Sequence, residues 1–181
     1  MLAFSRTALH RLALGAALGP LLALAACDSG GSDEALTIGD YVGAPYRGTV
    51  RVVQTRPGRP AVDTTFDASA VVTTPSEGRV RLTLTTEANG STPLVFEGTH
   101  GAGGLRLSVG EPPNAIALTV DEEGDIAGGG LLDFFGLLLD VDADGRATGT
   151  VLDAEFGAEV TRGNAETPVG TRLDVAFDLR R

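Results

Sequence analysis

No lysine and no tryptophan occur anywhere in these 181 residues, and there is a single cysteine. Each absence closes a route. All 14 basic residues are arginine, set against 24 acidic ones for a net charge of -10. From Arg47 onward they are scattered, with no cluster beyond the terminal pair Arg180 and Arg181. Nucleic acid is excluded as a partner, because phosphate binding needs a basic patch that displaces counterions. Aromatics make up 5% of the chain, which removes the usual stacking platforms for bases or sugars. One cysteine cannot form an internal disulfide, so no cross-link framework holds the fold. Beyond residue 27 the only histidine is His100, and no Gly-x-Ser-x-Gly elbow supplies a nucleophile for it. With no catalytic signature and no cofactor motif, the expectation is a non-enzymatic protein that carries no cofactor.

What is present begins at the amino terminus. Residues 1–11, MLAFSRTALHR, carry Arg6 and Arg11 and no acid, and LALGAALGPLLALAA at 12–26 is uncharged and interrupted by Pro20. A positive start, a short apolar stretch and small residues before a cut are the parts of a secretory signal peptide. A membrane-spanning helix needs about 20 apolar residues, more than this run offers. The border reads Leu24, Ala25, Ala26, Cys27. It closely resembles the lipobox of bacterial lipoproteins, where the cysteine receives diacylglycerol, the signal is cut before it, and the new amino terminus is acylated.

That resemblance implies Cys27 as the lipid attachment site and first residue of the mature protein, held in a bacterial cell-envelope membrane. Which membrane it is, inner or outer, is not fixed by Asp28 and the acids after it. Buried acyl chains contribute about 0.8 kcal/mol per methylene, enough for several chains to anchor firmly. A thiol so occupied is closed to zinc, and one histidine alone builds no site. The domain expectation is then a signal at 1–26, a lipidated tether and linker at 27–45, and a single barrel-like domain at 46–181. With Arg6 and Arg11 removed the charge becomes 12 against 24, or -12.

From Tyr46 onward, apolar and polar residues alternate in short runs. Val62, Phe66, Ala68, Ala70 and Val72 share one face of their run, as do Val80, Leu82 and Leu84, then Leu105, Leu107 and Val109, and finally Leu173, Val175, Phe177 and Leu179. A period of two marks half-buried antiparallel strands. The breaks at 75–78, 87–90, 100–104 and 110–114 carry Gly, Pro and Asn-Gly turn chemistry. The pattern predicts an all-β antiparallel meander of about 8–10 strands, an up-and-down barrel in preference to a sandwich. A strand meander behind a lipobox resembles bacterial lipoproteins with lipocalin-like (calycin) barrels, with Gly48-Thr49-Val50 standing where lipocalins carry Gly-x-Trp. The resemblance implies a barrel that holds a small hydrophobic ligand. The alternative is a protein-interaction or adhesin-like module that uses its acidic outer face.

Two stretches stand out. In GGGLLDFFGLLLD, residues 128–140, Leu131, Phe134, Phe135 and Leu138 would share a helical face and form an apolar loop at a barrel mouth gripping a ligand. A buried strand or short helix filling one end of the barrel is the plainer account. In DVDADG, residues 140–145, Asp140, Asp142, Asp144 and Gly145 match the first half of a calcium loop, although its twelfth position is Val151. An acidic hairpin turn is the other account. It draws on an internal echo, since Leu118–Gly128 aligns with Leu139–Gly149 as strand, acidic turn, strand.

Overall fold

The computed structural model describes residues 35–87 and 92–181. Cys27, the apolar run before it and the Asn-Gly step at 89–90 lie outside the described residues. A four-residue helix, α1 (Ile38–Tyr41), leads into ten strands. These are β1 (Tyr46–Thr55), β2 (Val62–Thr73), β3 (Arg79–Thr86), β4 (Leu94–Gly101) and β5 (Gly104–Glu111). Then follow β6 (Asn114–Val120), β7 (Asp125–Phe134), β8 (Leu137–Ala147), β9 (Val151–Arg162) and β10 (Arg172–Arg180). Each strand pairs antiparallel with the next, and β1 pairs with β10, so the meander closes into a barrel. The expected up-and-down barrel is the fold.

Closure follows from the alternation. In the seam between β1 and β10, Val50 faces Phe177 and Val52 faces Val175, apolar on apolar, all pointing inward. Between them the outward pair is Arg51 and the small Ala176, and charged residues recur along the outer face. Arg51 bonds Asp63 on β2 at 2.6 Å, and Arg180 reaches Asp153 on β9 at 2.7 Å. With an apolar inside and a charged outside, the wall has the reverse of the pattern of barrels that face lipid.

The two ends differ. One end, with the turns after β2, β4, β6 and β8, is stoppered by α1, which lies within the stretch read from the sequence as tether. Tyr41 of α1 and Tyr46 at the start of β1 are buried there at 3% and 1% exposure. Tyr46 donates its hydroxyl to the Thr148 carbonyl at 2.7 Å. The Arg181 guanidinium lies 4.1 Å over the Tyr46 ring and donates to the carbonyls of Asp40, Tyr41 and Gly149. Asp40 accepts both the backbone N–H and the hydroxyl of Thr37, which hold its carboxyl below the usual carboxylate range. Leu36 ties the segment to the β6–β7 turn through its N–H on the Glu122 carbonyl, 2.8 Å.

Burial pushes the Tyr41 phenol up to about 12, with Tyr46 and Asp40 adding to it. Because the folded value lies above the ordinary 10.0, the stability carried by neutral Tyr41 is intact below that pH. It is lost as pH climbs from there toward the folded value. Tyr41 and Tyr46 are the only tyrosines in the chain, so absorbance at the tyrosinate band reads them directly. We expect that band to stay flat past pH 10.0 and to rise together with loss of strand circular dichroism. Tyrosinate appearing at its ordinary pH in a folded barrel would contradict the buried plug.

One motif is placed differently from its sequence reading. DVDADG lies inside β8, not in a turn. Val141, Ala143 and Ala147 are buried, while Asp140, Asp142 and Asp144 alternate onto the outer face. Successive outward carboxylates are therefore spaced by two strand steps, about 6.6 Å, too far apart to converge on one cation. No group of three His, Cys, Asp or Glu among the described residues could hold a metal ion. The unbroken period of two outweighs the glycine: Gly145 takes φ 146° within the strand, where a Cβ would collide with the Asp153 carbonyl of β9. The echo therefore pairs a true hairpin turn at 121–124 with a continuous strand.

Candidate functional site

The barrel is filled at one end and hollow at the other. Below the middle, inward side chains such as Leu82, Leu105, Leu118, Val120 and Leu152 meet Tyr41 and Tyr46, leaving a void of only about 40 Å³. Above it lies a cavity of about 420 Å³. A barrel of eight strands is just wide enough for its own side chains to fill. With ten strands the interior is wider, and at this level many inward positions are short: Val50, Val52, Thr64, Val141, Ala158 and Val175. The larger wall residues Phe66, Leu94, Phe156 and Leu173 are only partly buried, because the space in front of them is empty.

Among the described residues, seventeen of the twenty that line the cavity are apolar, and none is charged. The polar exceptions are Gln54, Thr64 and Thr86, on the adjacent strands β1, β2 and β3. Gln54 pairs with Val62, and Val52 with Thr64, so Gln54 and Thr64 are diagonal neighbours near the strand ends. The cavity reaches the surface there: Val62 lines it and is 58% exposed. The mouth is thus at the end opposite α1. A molecule inside would meet an aliphatic and aromatic wall, with an amide and a hydroxyl on one side of the entrance.

The four apolar candidates do not share a face. Gly130 pairs with Val141, Leu131 with Asp140 and Leu132 with Leu139, so the run is a β7–β8 hairpin. Strand alternation sends Phe134 into the cavity wall and turns Leu131 and Leu138 to the outer face. Phe135 sits at the tip, 73% exposed. The helical face is corrected to one lining residue and one rim residue. Gln54, Thr64, Phe156 and Ala158 carried no individual signal, because a period of two identifies inward residues without saying whether anything fills the space before them.

His100 is at the other end, on β4. It borders a cleft of about 280 Å³ between residues 35–41 and the β4–β5 hairpin, with Glu122 at the edge. Among the described residues no serine or cysteine lines that cleft.

No family model and no curated protein matches the sequence. Among solved structures, a protein with unknown function from the DUF3598 family of Nostoc punctiforme has a similar fold, with a TM-score of 0.54. The match is 14% identical and covers 81% of this chain but 50% of that one, so this chain spans about half its length. At that identity the likeness is one of fold alone.

Proposed function

We propose that this chain is a cell-envelope lipoprotein, anchored through lipid on Cys27, whose barrel holds one small apolar molecule without transforming it. The cavity carries the reading. Its volume falls within the roughly 300–1,000 Å³ typical of small-molecule sites, and its walls are apolar with a few polar groups at the entrance. Among the described residues the wall has no arginine to pair a carboxylate or phosphate and no acid to pair an amine. Burying an unpaired charge is strongly unfavourable, so the buried part of the ligand is uncharged. Gln54 and Thr64 offer both donor and acceptor, which suits an alcohol, ester, ketone or amide at the ligand's outer end. The anchor rests on the sequence Leu24-Ala25-Ala26-Cys27 and on its resemblance to a lipobox.

One experiment reads both parts. Native mass spectrometry of protein isolated from its own membranes should give a chain that starts at Cys27 with added diacylglycerol and acyl mass. A further small molecule should leave on collisional activation. A Cys27→Ser chain that fractionates and labels with acyl chains like the wild type would sink the anchor. A barrel that releases nothing would sink the ligand.

A second reading, a protein-interaction module, draws on the outer face of β8 and β9. There Asp140 faces Glu159 and Asp144 faces Glu155 across the ladder. Like charges so placed cost stability and invite a basic partner.

A further inference from the structure

We infer that the mouth of the barrel docks on an anionic lipid bilayer, with Phe135 as its inserting residue. Val62, Phe135 and Val169 are 58%, 73% and 60% exposed, the three most exposed large hydrophobic side chains among the described residues. All three lie at the mouth. Val62 opens β2 just after the β1–β2 turn, and Phe135 and Val169 lie in the β7–β8 and β9–β10 connections, which are neighbours around the rim in the strand order β2-β1-β10-β9-β8-β7. The connections also adjoin. A Cβ on Gly170 would lie 3.6 Å from Pro57 of the β1–β2 turn, and Arg162 at the end of β9 bonds Asp133 near the end of β7 at 2.6 Å.

Phe135 is doubly unfavourable for the isolated fold. Its ring is in water, and its φ of 51° places a bulky L residue in the left-handed region of the two-residue turn it forms with Gly136. Asparagine is the ordinary choice there. Strain of this kind persists where a function holds it. The ring is also continuous with the cavity, because Phe135 meets Phe134 edge-on at 4.6 Å between centroids and Phe134 lines the wall. Val62 belongs to both the wall and the rim. An apolar path therefore runs from the hairpin tip into the hollow.

Charge places the contact on the β1–β2 side of the rim, because Glu87, Glu111 and Glu166 are exposed acids at its other connections. The chain as a whole is at -10, yet the β1–β2 turn carries Arg56 and Arg59, both exposed and neither paired with an acid among the described residues. Aromatic and aliphatic tips beside free arginines suit the headgroup and upper acyl region of a bilayer containing anionic lipid. An apolar ligand could then pass between bilayer and cavity without crossing water.

The chain has no tryptophan, so Phe135→Trp creates a single reporter. In the full chain, added vesicles containing phosphatidylglycerol should shift its emission to the blue, and brominated acyl chains should quench it. Leu131→Trp, on the outer wall of the same hairpin, should show neither change. Replacing Arg56 and Arg59 with glutamine should weaken vesicle partitioning by roughly fivefold for each arginine. Phe135→Asn should raise the unfolding temperature and weaken partitioning, so failure to fold cannot account for its loss of binding. Unchanged emission from the Phe135→Trp chain, or an equal shift from the Leu131→Trp chain, overturns the inference. So does a blue shift that grows with protein concentration without vesicles, which would mean that a second copy covers the tips. Cavity occupancy is read separately by mass, so either result can fail while the other stands.

Discussion

Ala158→Trp should weaken binding of an apolar probe by at least about tenfold, the loss of 1.4 kcal/mol or more, while leaving the barrel folded. Ala158 is on β9, opposite Val141 of β8 and Leu173 of β10, and all three line the hollow. An indole there projects into empty space. Overpacking a filled core usually costs about 1–3 kcal/mol because neighbours must move, but here none has to. The expected change in stability is therefore small, within about 1 kcal/mol. Ala117→Trp places the same ring on the exposed face of β6 and serves as control. Displacement of a polarity-sensitive dye by a neutral long-chain alcohol would separate them. Equal affinity in wild type and Ala158→Trp would move the ligand out of the barrel.

The second large effect is at the plug, where two substitutions at Tyr41 should act in opposite directions. Tyr41→Ala removes the ring that stoppers the narrow end, and losing a buried aromatic typically costs about 3–5 kcal/mol. Tyr41→Phe keeps the ring and deletes a buried hydroxyl that has no hydrogen-bond partner among the described residues. An unsatisfied buried polar group costs about 1–3 kcal/mol, so this variant should be at least as stable as wild type. It should also keep its stability above pH 10.0, because the group that resists ionisation is gone. Urea denaturation of both, at neutral and alkaline pH, checks the pair. Destabilisation by Tyr41→Phe would mean that the hydroxyl has a partner, such as a buried water.

The sequence carried the wall of this barrel but not its contents. Val80-Leu82-Leu84 and Leu173-Val175-Phe177-Leu179 point inward as their alternation requires, and the turns at 75–78, 100–104 and 110–114 join strands as their Gly and Pro residues demand. Both misplaced motifs failed for one physical reason. At 131–138 and at 140–145 a local template, a helical face or a calcium loop, competed with a period of two that extends through both stretches. The ladder, which satisfies a backbone pair at every step, prevailed. The hollow itself had no sequence signature, because Ala158 and Ala154 read alike. One lines the cavity and the other packs against the filled end, and only strand number and position along the barrel axis distinguish them. Tyr41 was equally hidden, since a four-residue helix offers no periodicity to read.

The seam between β1 and β10 has a kinetic consequence. Nine of the ten ladders join strands adjacent in sequence, so each can form as a local hairpin soon after its residues exist. The tenth brings Arg47 to Arg180, across 180 - 47 = 133 residues. Closing so long a loop carries the largest entropic cost in the assembly, and contacts this distant slow folding. Until it closes, β1 and β10 are open edges able to pair with other chains. The interval before β10 docks is therefore when the chain is most exposed to misassembly, and the cavity comes into existence only with its final strand.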